Sequence, residues 1–254
     1  AYRVVSFCFM VDIPQKRYSE LMKKNWLLVV LVFLSQLLSA QSSPEALSVL
    51  REVNAKFAKV KDYQVDAVID TRISFLKILP QKAKVFFRQP DQFKVKSKGI
   101  AILPKQNFDQ LFKLIANEKA YMAFPSGTEL LNGTQVSIIN LIPTSDTSDL
   151  VLAKLWIDTS RDLILKSQLT TKSNGTVLIE YLHGSLAAYA LPDQITFTVE
   201  VKKFKIPKAV AADINSKATV SNGKEPKTGK IIIRFSNYIL NKGIPSSVFS
   251  SKDE

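Results

Sequence analysis

The sequence predicts an α+β, mainly β protein: one strongly curved antiparallel sheet carrying an N-terminal helix and a short second helix. Three observations carry that expectation. Apolar periodicity changes from helical spacing to strict alternation at Asp62 and returns to alternation repeatedly thereafter. Strand candidates follow at short intervals, and Asn174-Gly175, with Asn132-Gly133 less clearly, supplies residues that tolerate the positive φ of tight hairpin turns. No helix of crossover length separates these strands, so hairpins join sequential neighbours and the sheet is antiparallel.

Ahead of this domain stands a leader. Lys23 and Lys24 precede a continuous apolar run from Leu27 to Leu34, and Ser39-Ala40 ends the segment in small residues before Gln41. That is the three-part layout of a secretory signal peptide. Met22 is then the expected start and residues 1–21 a start-site artefact; cleavage is expected near Ala40. The run, interrupted by Ser35 and Gln36, falls short of the ~20 residues of a membrane span, and an uncleaved signal anchor is the alternative. The only cysteine is Cys8, inside the leader, and Gln41 stands where a bacterial lipoprotein would carry its acylated Cys. Residues 41–254 are therefore expected to form a single exported domain without a lipid anchor.

The net charge is +13, and the first 40 residues hold five Lys or Arg against two Asp or Glu, leaving +10 on the remaining 214. A basic balance fits nucleic acid, an anionic membrane surface or an acidic partner. Export disfavours nucleic acid. Lysines alternate along one stretch (Lys94, Lys96, Lys98) and gather in another (Lys202, Lys203, Lys205, Lys208), the pattern of a solvated outer face. Without cysteine beyond the leader, stability rests on core burial rather than disulfides or thiolate metal sites.

The first element is a helix. Pro44 suits the first helical position after a Ser cap, and Glu45 favours the positive end. Leu47, Leu50, Val53, Phe57 and Val60 form one narrow apolar stripe, so the helix lies on something rather than inside it. A long strand follows over 63–75, alternating Tyr63, Val65, Ala67, Ile69, Thr71, Ile73 and Phe75 with mostly polar neighbours. Further strands are expected at 83–88, 92–97, 99–103, 119–124, 151–157, 163–170, 176–182, 194–202 and 231–240. Phe108, Leu111, Phe112 and Ile115 mark a short amphipathic helix over 107–115. Residues 206–229 have no sustained period and read as a long mobile insertion.

Catalytic chemistry is thin. His183 is the sole histidine and sits at an expected strand end, where a structural role is the ordinary one. A histidine-rich zinc site cannot be built from it, and no Gly-rich phosphate loop or Gly-x-Ser-x-Gly elbow occurs. Asp158 and Asp162 read as a capped turn around Thr159-Ser160-Arg161 rather than as paired catalytic carboxylates. No enzyme activity, metal or cofactor is expected.

The strands carry more large apolar residues than one short helix covers: Val85, Phe87, Phe93, Val95, Ile100, Ile102, Met122, Phe124, Trp156, Leu178 and Phe197. Each alone reads as core. Together, on a curved and partly open barrel, they can line a ligand cavity, with the Phe112 helix as its lid. A cavity lined by hydrocarbon and aromatic groups suits an acyl chain.

The order of leader, amphipathic helix, long alternating strand and then Val85-Phe86-Phe87-Arg88-Gln89-Pro90-Asp91-Gln92-Phe93-Lys94 resembles the LolA/LolB lipoprotein-carrier superfamily. Leu155-Trp156-Ile157-Asp158, Leu163-Ile164-Leu165-Lys166-Ser167 and Leu191-Pro192-Asp193 are similar to its later hairpins. The resemblance implies an incomplete barrel closed by helices. It further implies a periplasmic, monomeric carrier of lipoprotein acyl chains moving toward the outer membrane, with transient docking to transport components of both membranes. Gln41 makes the chain more similar to the soluble LolA type than to the anchored receptor. In the family an Arg directly before the turn proline latches the lid; here that position is Gln89 and the basic residue is Arg88, which a one-residue shift points to the opposite face. The alternative is a sensor or scaffold on the same fold, as in periplasmic sensor relatives, binding an envelope protein through 206–229 or the basic face.

Overall fold

A computed structural model describes residues 42–73, 76–97, 108–173, 175–200 and 228–250. Helix α1 (Pro44–Phe57) starts as its sequence demands: Ser43 is the N-cap, its Oγ accepts from the Ala46 N–H at 3.5 Å, and Pro44 opens the first turn. Strands β1 (Asp62–Ile73), β2 (Leu76–Lys77), β3 (Gln81–Arg88) and β4 (Gln92–Ser97) follow, then helix α2 (Phe108–Ala116). A meander comes next: β5 (Tyr121–Leu131), β6 (Thr134–Pro143), β7 (Leu150–Asp158), β8 (Leu163–Thr171), β9 (Gly175–His183) and β10 (Pro192–Glu200). Strand β11 (Thr228–Leu240) and the short helix α3 (Ser247–Ser250) complete the described chain.

All recorded strand pairings are antiparallel, in the order β4-β3-β1-β11-β10-β9-β8-β7-β6-β5, with β2 beside β1. The two ends of this path, β4 and β5, do not pair, so the sheet is an incomplete barrel. The ladder joins the first long strand to the last: Ile69 faces Ile233 and Asp70 faces Ile232. Asn241 secures the join, its Oδ1 accepting from the Lys61 N–H at 2.7 Å while its Nδ2 donates to the Lys59 carbonyl at 3.0 Å. Register shifts at Gln64/Asp66, Pro125/Thr128, Trp156/Ile157 and Pro192/Gln194 mark bulges, which raise local twist and bend the strands.

One hydrophobic core lies between the concave face of this sheet and the two longer helices. Ala46, Leu50, Val53 and Phe57 of α1 and Leu111, Phe112 and Ile115 of α2 share it with the inward residues of the strands. The rings of Phe57 and Phe112 stack with centroids 4.3 Å apart, and Phe57 also meets Phe87 at 5.5 Å. The expected stripe on α1 is rotated slightly, since Ala46 is fully buried and Leu47 only partly. A smaller cluster of Val136, Ile138 and Trp156 lies on the outer face.

Several boundaries differ from the sequence expectation, among them β5, which runs on to Leu131. Strand β6 was not among the expected strands, because Val136 and Ile138 pack outside while Ile139 and Leu141 pack inside, which erases its alternation. Thr228 and Gly229, expected inside the 206–229 insertion, open β11 instead, paired with Glu200 and Val199. The expected strand at 99–103 and the insertion up to residue 227 lie outside the described residues. Among the described residues no helix is long and apolar enough to cross a membrane.

Of the anticipated turns, those at Asn132-Gly133 and Asp158 form, while Asn174 lies outside the described residues. Asn132 and Gly133 both adopt positive φ, at 50° and 82°, between β5 and β6. Asp158 organises the β7–β8 turn, accepting from the Ser160 N–H at 3.0 Å, the Ser160 hydroxyl at 2.6 Å and Arg161 Nε at 2.6 Å. Burial opposes its charge, but these hydrogen bonds outweigh it and hold the carboxyl below its ordinary range. Asp158 is thus committed to the turn.

Candidate functional site

Five neighbouring strands build an apolar cavity on the concave face. Tyr63, Ala67 and Ile69 come from β1, Val85 from β3, and Phe93 and Val95 from β4. Pro192, Ile195 and Phe197 of β10, with Leu191 just before it, form another wall; Ile233, Phe235 and Tyr238 of β11 close the set. The cavity volume is about 50 Å³, well short of a drug-sized ligand.

Polar groups in the lining are few. Tyr238 donates its hydroxyl to the Pro192 carbonyl at 2.9 Å, and burial pushes its pKa upward, so the phenol stays neutral at physiological pH. Its ring meets Tyr63 edge-on at 5.8 Å, and Tyr63 stacks on Phe87 at 5.2 Å. A continuous series of rings therefore runs from Phe112 on α2 through Phe57, Phe87 and Tyr63 to Tyr238. Among the described side chains, none of α1 or α2 lines the cavity.

The structure sorts the sequence-predicted residues into four groups. Val85, Phe93, Val95 and Phe197 line the cavity. Phe87 and Phe112 do not; both are 2% exposed and belong to the packed ring series. Met122, Phe124, Trp156 and Leu178 point away from the concave side, because their chain neighbours Tyr121, Ala123, Leu155, Val177 and Ile179 fill the core. Trp156 instead packs on the outer face, donating its Nε1–H to Glu129 at 2.8 Å between the ammonium groups of Lys154 and Lys166. Ile100 and Ile102 lie outside the described residues.

Sequence reasoning missed the β1 and β11 contributions as site residues. The alternation of Tyr63, Ala67 and Ile69 was legible, but their meeting with Ile233 and Tyr238 depends on pairing the two ends of the domain. Ile231-Ile232-Ile233 is apolar throughout and shows no parity of its own.

The residues flanking the proline turn take other partners. Arg88 reaches the C-terminal segment, with Nη1 on the Ile244 carbonyl at 2.8 Å, Nη2 on Ser246 Oγ at 3.2 Å and its guanidinium 5.0 Å from the centre of Phe249. The Gln89 side chain donates to the Ala58 carbonyl at 3.4 Å. Helix α2 meets this turn through Lys113 and Asp91, 3.2 Å apart and both exposed, a pair worth well under 1 kcal/mol in water.

His183 is held by the backbone, its Nε2–H directed at the Ile164 carbonyl at 2.9 Å, and burial lowers its pKa so that the ring is neutral. Among the described residues no group of three or more His, Cys, Asp or Glu is placed to hold a metal ion.

An open antiparallel sheet wrapped around an apolar concavity and covered by helices is the architecture of a LolA-like fold, and solved structures bear this out. A domain named for outer membrane lipoprotein sorting from Vibrio parahaemolyticus superposes with a TM-score of 0.55 at 12% identity, over 81% of this chain and 96% of the other. A DUF1329 family protein from Desulfovibrio piger gives 0.56 at 10% identity, covering 83% and 98%. A LolA superfamily protein from Nitrosomonas europaea gives 0.52 at 12% identity, covering 81% and 97%. No family model matches the chain. No curated protein matches it either. The likeness is one of fold.

Proposed function

We propose that this protein is a periplasmic carrier that takes acyl chains of lipoproteins or lipids into its apolar cavity and moves them toward the outer membrane. The carrying observation is the cavity itself, walled by five strands and offering a ligand almost only hydrocarbon and aromatic surface. Burial contributes roughly 0.8 kcal/mol per methylene, so a chain of a dozen carbons has ample driving force. On this reading the cavity of about 50 Å³ widens to take a chain. Loading requires the Phe57–Phe112 stack to part and α2 to move outward. No covalent step is involved; the protein excludes water from the chain and releases it where a better acceptor is present.

Native mass spectrometry of the protein purified from its host tests this: co-purifying lipid or acylated protein supports the reading, while a clean apo mass together with no uptake of a fluorescent fatty acid overturns it. The smallness of the cavity favours a second reading, a sensor or scaffold that binds an envelope protein. Deleting 206–227 separates the two, since acyl uptake persists in the first and partner binding is lost in the second.

A further inference from the structure

The outer face of β3 and β4 breaks a pairing preference of antiparallel sheets. Lys84 and Lys96 stand directly opposite one another, and like charges so placed weaken the pair. Alternation puts Lys82 and Lys94 on this same face, while Val85, Phe93 and Val95 of the same strands point the other way and wall the cavity. Asp66 of β1 meets Lys84 at 3.2 Å, yet that lysine side chain remains 44% exposed. Lys82 and Lys96 are exposed as well. Between them Phe86 is 7% exposed, with the Lys96 ammonium 5.8 Å from its ring centre.

Two strands thus carry four lysines on one face that offers little exposed apolar surface at its centre. Protein–protein interfaces have the reverse character, with apolar or aromatic centres and few lysines. Closely spaced cations on flexible stems match a dense layer of phosphate groups, and the like-charge strain is relieved when that layer is present.

We propose that this face docks the protein on an anionic lipid bilayer, the lysine ammonium groups meeting headgroup phosphates. The docking stands independently of what occupies the cavity. Each lysine near such a surface strengthens partitioning about five-fold, and the effect fades as salt shortens the Debye length.

Partitioning of the full chain between buffer and large unilamellar vesicles tests it, comparing phosphatidylglycerol–phosphatidylcholine with pure phosphatidylcholine. The ratio of the two removes any apolar contribution common to both. The expected ratio is well above one at low salt and approaches one in half-molar salt. Lys82→Gln with Lys96→Gln lowers it about thirty-fold, whereas Lys154→Gln with Lys166→Gln, the same charge change beside Trp156, leaves it nearly intact. Equal losses in the two double variants, or no preference for phosphatidylglycerol at all, overturn the proposal. So does binding to an acidic polypeptide without binding to the vesicles. Circular dichroism confirms that the variants fold. Fatty-acid uptake measured on the same samples reports on the carrier reading separately: vesicle docking without uptake sinks the carrier and leaves the docking face standing.

Discussion

Phe57 of α1 and Phe112 of α2 stack face to face, 4.3 Å between centroids and 29° between planes. This contact links the two helices to each other and, through Phe57 and Phe87, to the sheet. On the carrier reading, it is the contact that must part for a chain to enter. Phe112→Ala is expected to cost about 3–5 kcal/mol of stability, the usual range for a buried phenylalanine, read as a fall in the urea midpoint. The same variant should take up a fluorescent fatty acid faster. A loss below 1 kcal/mol with unchanged uptake would show that α2 is not part of the barrier.

The cavity offers a sharper test of the acyl site. Ala67 is 2% exposed and lines it. Ala67→Leu adds three carbons to a space of about 50 Å³. Some of the overpacking cost of roughly 1–3 kcal/mol is offset because a void is being filled. Acyl uptake should drop sharply while the far-ultraviolet circular dichroism stays as in the parent. Unchanged uptake in a folded Ala67→Leu protein would place the acyl chain elsewhere.

The β7–β8 turn depends on one carboxylate. Asp158 is 1% exposed and accepts hydrogen bonds from Ser160 and Arg161. Asp158→Ala leaves these donors without their acceptor and should cost about 2–3 kcal/mol. Because the folded-state pKa is held below the ordinary value of 3.8, the parent keeps this contribution above that pH and loses it as pH falls through the folded value. Acid titration of stability should therefore be shallower in the variant; superimposable curves would contradict it.

His183 acts in a different pH window. Burial lowers its folded-state pKa below the ordinary 6.5. The unfolded chain therefore binds a proton near pH 6.5 that the folded chain refuses. Stability is full above that pH and declines as pH falls from 6.5 toward the folded value. His183→Gln, which retains a donor for the Ile164 carbonyl, should flatten the profile between pH 7 and 5 in chemical denaturation. A parallel profile would assign the slope to other groups.

The sequence by itself determined the local elements. Ser43-Pro44 starts α1, the alternation from Tyr63 onward makes β1, Asn132-Gly133 turns β5 into β6, and Asp158 caps its turn, because each depends on residues a few positions apart. Four of the apolar strand residues named from the sequence, Val85, Phe93, Val95 and Phe197, line the cavity and were legible for the same reason.

Which face turns inward was not legible wherever both parities are apolar. In Leu155-Trp156-Ile157 all three residues are apolar, and regular alternation puts Leu155 and Ile157 in the core and Trp156 outside. At β5 the small Ala123 faces the core while the larger Met122 and Phe124 face out, so side-chain size misled. The tertiary structure alone decided these parities, and it alone brought β1 beside β11 to complete the cavity. Alternation specifies that a strand has two faces; the long-range ladder and the packing of α1 and α2 specify which face excludes water.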